Sequence, residues 1–198
     1  MANKSIVSFR DEVQKKIKNL ILEFGQGKIS NQQFDIIYER YYNQLIMAMQ
    51  VIEGTAKQLH GNDISTIAIK DATAGKAMGM AVYHHNSGTI LETMGNFDVS
   101  PNELAPVLND FSDKLEQRLP VEPVTKKLLV GEWLVFMARK YTTVILVFRN
   151  EPAPIQLRQI ENLLRDFEEA NANLLAKMHV NAEKLAKPFI GFVQKKRV

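Results

Sequence analysis

Thr142-Thr143-Val144-Ile145-Leu146-Val147-Phe148 ends in five apolar residues with no polar interruption. Successive side chains of a strand point to opposite faces, so a strand with one wet face alternates apolar and polar residues. A run without alternation predicts a strand covered on both faces, and therefore a central strand lying under helices. Two more strand-like runs precede it, Val124–Val130 and Glu132–Lys140, with Gly131 and Arg139-Lys140-Tyr141 at the corners. Pro120 and Pro123 mark the end of the element before them.

That element opens at Ser100-Pro101-Asn102-Glu103. Ser is the N-cap, Pro stands at the first helical position where its missing N–H matters least, and Glu holds the capping-box position. Leu104, Val107, Leu108, Phe111 and Leu115 form its apolar stripe, and Pro106 should bend it. Further upstream, Ala77–His84 and Thr89–Met94 flank Asn86-Ser87-Gly88, which is a hairpin signal. Ile64–Lys70 reads as a strand before the turn-like stretch Asp71–Gly75. A long helix precedes it, carried by Phe34, Ile37, Tyr38, Tyr41, Leu45, Ala48, Met49, Ile52, Ala56 and Leu59. Ser30-Asn31-Gln32-Gln33 is its capping box, and Gly61-Asn62-Asp63 its stop. At the start of the chain, Ile6, Phe9, Val13, Ile17, Leu20 and Phe24 keep helical spacing until Gly25-Gln26-Gly27. Downstream of the central run, Asn150-Glu151-Pro152-Ala153-Pro154 is a stop, and Ile155–Met178 is a closing helix.

The reading is an α+β fold: a central, mostly antiparallel sheet of five or six strands flanked by helices, with an added N-terminal helical arm. Three units are expected: an amphipathic arm at 1–29, one α/β domain at 30–178, and a basic tail at 179–198.

Composition narrows the class. The chain has 198 residues, 45% of them hydrophobic and 24% charged, which suits one globular domain with extensions. It has no cysteine, which excludes disulfides, thiolate metal sites and a cysteine nucleophile, and fits a reducing compartment. The first residues carry no apolar run of signal-peptide length, so a soluble, cytoplasmic protein is expected. The formal charge of +3 is unevenly spread. Residues 176–198 hold six basic side chains and one acidic, a net +5, which leaves the preceding 175 residues at −2. Lys184, Lys187, Lys195, Lys196 and Arg197 form the basic tail; a solvated extension is the simplest account, with contact to nucleic acid or an anionic membrane as the alternative.

No constellation for catalysis emerges. Gly75-Lys76 fails as a phosphate loop, because Lys70 stands where the first Gly belongs and Ala77 where Ser or Thr belongs. His84 and His85 are adjacent in a strand, so they point to opposite faces and cannot easily share an ion; one packed and one surface histidine is expected. Asp110, Asp113 and Glu116 lie opposite their helix's apolar stripe and read as solvated charges. Trp133, Phe136, Met137 and Tyr141 lack the interleaved cations of a base-stacking surface, and Met47, Met49, Met78 and Met80 read as core filler. No catalytic residue, cofactor or metal ligand is expected, and the protein reads as a non-enzyme.

The hairpin Met80–Glu92, the three-strand run ending Val144–Phe148, and the surrounding order of helix, hairpin, helix, three strands and helix resemble the roadblock-type (dynein light chain) family of the profilin-like and longin-like α/β/α group. The similar segment runs from about Gln33 to Met178; the strand Ile64–Lys70, the N-terminal helix and the tail are additions. The resemblance implies a non-enzymatic regulator or scaffold that dimerises and often engages small GTPases or motor assemblies. It also implies pairing through the middle helix and the strand after it, with Leu104, Phe111, Leu128 and Val130 at the interface. Independently, the arm's apolar face, with Val13, Ile17, Leu20 and Phe24, must cover its own sheet or a neighbouring subunit. A homodimer or higher homo-oligomer is the expectation. The competing class is a small-ligand sensor of the GAF or PAS type, which would hold its ligand in a cavity on one sheet face, where the roadblock-like reading expects a filled core.

Overall fold

The computed structural model describes residues 2–59, 77–129, 131–189 and 192. Along the chain run α1 (Ala2–Gly25), α2 (Asn31–Leu59), β1 (Ala77–His84), β2 (Thr89–Gly95), α3 (Pro101–Glu116), β3 (Val124–Lys127), β4 (Trp133–Ala138), β5 (Thr142–Phe148) and α4 (Pro154–Leu175), then a 3₁₀ turn at Ala182–Lys184. The fold is α+β. Its described strands form one five-stranded sheet in the order β2-β1-β5-β4-β3, antiparallel at every pairing.

β5 is central and buried at every residue. Val144, Leu146 and Phe148 enter one core, Ile145 and Val147 the other. This is the two-sided covering that the unbroken apolar run implies. The first core is roofed by α1, α2 and α4, with Val13, Ile17, Phe34, Tyr38, Ile160 and Phe167 among its contributors. The second is roofed by α3 through Leu104, Leu108 and Phe111.

Local sequence signals set the helix ends. Gln33 N–H donates to Ser30 Oγ (3.2 Å) and Ser30 N–H to Gln33 Oε1 (2.9 Å), which is the reciprocal capping box. After α1, Gly27 takes a φ of 70°, Lys28 N–H donates to the Glu23 carbonyl and Gly27 N–H to that of Phe24. The helix thus closes in a Schellman turn and reverses into α2. Phe24 and Phe34 then meet across the joint, ring centroids 5.0 Å apart. Ser100 caps α3 by accepting from Asn102 N–H at 3.3 Å. Glu103 does not complete a capping box there; its carboxylate pairs with Lys126 of β3. At Gly79, an added Cβ would lie 1.9 Å from the Asn96 carbonyl oxygen, so only glycine fits where the chain leaves β2.

Of the two surfaces the arm was expected to cover, its own domain or a neighbour's, Val13, Ile17 and Leu20 cover its own, buried in the same core as β5. Other expectations are corrected. A solvated tail does not begin at residue 179. Leu185, Ala186 and Phe189 are buried in that core, with Phe189 against Phe167 at 5.4 Å between centroids. Asn171 grips the segment at Ala186, accepting its N–H (2.8 Å) and donating to its carbonyl (3.0 Å). Asn31 donates to the Glu183 carbonyl, Lys187 N–H donates to Asp35 at 2.8 Å, and Lys187 Nζ pairs with Glu92 at 2.6 Å. Residues 181–189 are therefore a strap that ties α2, α4 and β2 together. The strands Val124–Val130 and Glu132–Lys140 are shorter than expected, because a turn after β3 is closed by Gly131 N–H to Leu128 O, with Gly131 at φ 90°. The expected strand Ile64–Lys70 and the Gly75-Lys76 loop lie outside the described residues.

Candidate functional site

Buried polar side chains are where chemistry would reside, and most of them here hold elements together. His84, fully buried, has Nε2 at 2.8 Å from the Leu175 carbonyl at the end of α4, and Nδ1 at 2.8 Å from Ser87 Oγ in the hairpin loop. Glu168 accepts from the N–H groups of Tyr141 and Thr142 and from the Thr142 hydroxyl, at 2.8 to 2.9 Å. It thereby fastens α4 to the β4–β5 turn. Burial raises its pKa, and these hydrogen bonds pull it back. His85 is not a surface residue as expected; it is half-buried, with Nε2 at 2.9 Å from Thr143 Oγ1. Burial lowers its pKa to about 4, against an opposing hydrogen bond to the Lys140 carbonyl and with a small contribution from His84.

A second cluster sits on the roof of the first core. A cleft of about 390 Å³ opens between α1, α2 and α4. Ile17, Leu45 and Met49 supply apolar wall, while Gln14, Lys18, Asn162 and Glu169 stand among its polar lining. Tyr42 and Asp166 both line it. Tyr38 stacks on Tyr42, centroids 5.9 Å apart and planes 14° from parallel. Its hydroxyl donates to Asp166 Oδ2 at 2.6 Å, and Arg165 lies 3.3 Å from Oδ1. The Tyr42 hydroxyl is buried and has no hydrogen-bond partner among the described residues. Burial, then the charge of Asp166, raises its pKa, so it stays a protonated donor. Burial likewise raises Asp166, against the pull of Tyr38 and Arg165. The arrangement can orient a polar group.

The residues expected at an interface are placed as follows. Val13, Ile17, Leu20, Leu104 and Phe111 are buried within the chain, and Phe24 and Leu128 are partly buried against its cores. In this structure they serve intramolecular packing. Val130 lies outside the described residues, as do Lys195, Lys196 and Arg197. Lys184 is exposed and Lys187 is held in the strap. Met80 is core, Met49 and Met78 pack at its margins, and Met47 is 65% exposed rather than core filler. Among the described residues, no group of three or more His, Asp or Glu is placed to hold a metal ion. No described helix is long and apolar enough to cross a membrane.

Sequence reasoning missed Tyr42, Asp166, Glu168 and Asn171. The signal was present for two of them: Glu168 and Asn171 stand four residues after Leu164 and Phe167, on the apolar stripe of α4. A polar residue on such a stripe needs a buried partner. Comparison of the chain with protein-family models, curated proteins and solved structures finds no match.

Proposed function

We propose that this chain is a non-enzymatic regulatory or scaffold protein that works by self-association and by contact with other proteins. The observation that carries the reading is the two-sided use of the α1–α2 hairpin. Its inner face, with Val13, Ile17, Phe34 and Tyr38, completes the domain. On the outer side Leu22, Ile36 and Met47 remain 61, 71 and 65% exposed. The contact of Phe24 with Phe34 fixes the antiparallel register, so Leu22 and Ile36, each two residues further from the joint, stand level with each other. Large apolar side chains adjacent on a surface favour burial against a partner, and a second copy related by a two-fold axis is the commonest one.

The element order helix, hairpin, helix, three strands and helix, on which the roadblock resemblance rests, is the order of the described elements from α2 to α4. That agreement supports the class of role. It does not favour the interface first expected, since β3, at the edge of the described sheet, exposes Lys126 and Lys127, and charged edges resist strand pairing. A small GTPase as the second partner rests on the resemblance alone. The sensor alternative is weakened because β5, at the middle of the sheet, is packed on both faces. The test is light scattering on the full chain beside Leu22→Glu/Ile36→Glu. Self-association of the parent that the paired variant loses, with unchanged circular dichroism, supports the reading; equal masses for the two proteins contradict the assigned face.

A further inference from the structure

The cleft between α1, α2 and α4 has a feature that the packing of the domain does not explain. Tyr42, whose hydroxyl is buried with no hydrogen-bond partner among the described residues, lines with Asp166 a cleft of about 390 Å³. A buried donor left unpaired costs roughly 1–3 kcal/mol, so such groups are usually satisfied by something that occupies the space. The space is of the size that small-molecule sites have, roughly 300–1,000 Å³.

We propose that this cleft binds a small uncharged amphipathic molecule, whose apolar body lies on Ile17, Leu45 and Met49 and whose hydroxyl sits between Tyr42 and Asp166. The hydrogen-bond inventory selects that head group. Tyr42 offers a proton and needs an acceptor. Asp166 accepts from the Tyr38 hydroxyl on one oxygen and faces Arg165 on the other, and each carboxylate oxygen has a further lone pair to offer a donor. A hydroxyl accepts from Tyr42 and donates to Asp166, and so satisfies both. A carboxylate has no proton for Asp166 and brings a like charge beside it. An ammonium has no lone pair, so the Tyr42 proton stays unpaired; Arg165 already answers the charge of Asp166. Because Ile17 belongs to the arm, the bound molecule would bridge α1 to the rest of the domain. This site is separate from the outer hairpin face assigned to self-association.

The test uses the full chain and 2-naphthol as a rigid, uncharged probe, with 2-naphthoate and 2-naphthylmethylammonium as charged counterparts, by isothermal titration and ligand-observed NMR. Saturable one-site binding of 2-naphthol, weaker binding of both charged compounds, and a roughly fivefold loss in Tyr42→Phe support the proposal, the loss being the size expected of one neutral hydrogen bond. Phe keeps the ring that stacks on Tyr38, so the fold should survive the substitution. Met49→Trp, which fills the cleft from its wall, should abolish binding by a second route. Absence of saturable binding, preference for a charged probe, or parent-like affinity in either variant overturns it.

Discussion

Replacing Phe189 with Ala separates a structural strap from a solvated tail. Phe189 is 1% exposed and packs on Phe167, itself 2% exposed, with ring centroids 5.4 Å apart. Transfer of the lost ring to water accounts for about 2–3 kcal/mol. The tilted aromatic pair adds about 0.5–1.5 kcal/mol, and an unfilled cavity could add ~2 kcal/mol. The sum has a ceiling, because a strap can undock: the loss cannot exceed the free energy that holds residues 181–189 in place. Its other anchors, Asn171 on Ala186, Asp35 on the Lys187 N–H and Glu92 on Lys187 Nζ, survive the substitution. We therefore expect a destabilisation of about 3 kcal/mol, at the low end for a buried Phe→Ala change. For a chain of this size that lowers Tm by roughly 6–12 °C. Urea unfolding followed by circular dichroism, with a thermal scan beside it, measures both. A change below about 0.5 kcal/mol, the size of an ordinary surface substitution, would refute the packed strap.

Ile145→Ala, at a fully buried position facing α3, should cost roughly 2–5 kcal/mol in the same urea assay, and a near-neutral result would mean that β5 is not covered on that face. Ser100→Ala should destabilise by about 1 kcal/mol through loss of the acceptor at the start of α3, with equilibrium unfolding as the check. Arg118→Gly should stabilise by about 0.5–1 kcal/mol, because Arg118 holds a φ of 57° at the turn that closes α3; a lower Tm would count against that account. His85 is neutral in the fold, with its pKa lowered from 6.5 to about 4 by burial. The stability it contributes is full above pH 6.5 and is lost as pH falls toward 4, by about 2 kcal/mol at pH 5. Asp35, Asp166 and Glu168 act in the opposite sense, since their raised pKa values favour folding at low pH and that contribution fades as pH rises through them. The difference in unfolding free energy between parent and His85→Gln cancels those groups, so it should narrow on acidification; a pH-independent difference would contradict the assignment.

What the sequence made legible was whatever is written within a few residues. The central strand, the Ser30 and Ser100 caps and the Asn86-Ser87-Gly88 hairpin depend on neighbouring side chains and local backbone conformation, and all appear in the structure. Long-range decisions were not legible. Glu103 fits a capping box equally well whether or not Lys126 stands across from it, and only the fold brings the two together. The tail looked solvated because its lysines dominate the composition, while Leu185, Ala186 and Phe189, too few and too close for a periodic pattern, carry its packing. The arm's apolar face showed that it must cover something; the antiparallel reversal at Gly27 brings it onto its own domain. Tyr42 and Asp166 are 124 positions apart, and nothing in either neighbourhood signals the other.

The proposed self-association uses the outer side of the α1–α2 hairpin. The chain has no cysteine, so Ile36→Cys introduces a unique thiol at a position that is 71% exposed. Sedimentation velocity of the unmodified chain, run from low to high micromolar concentration and repeated with Ile36→Cys after mild oxidation, measures association and its face together. A concentration-dependent dimer is expected in the first case and a covalent dimer of the same sedimentation coefficient in the second. A single monomeric species at every concentration, with the oxidised variant reacting no faster than a cysteine placed at exposed Thr125, would contradict it.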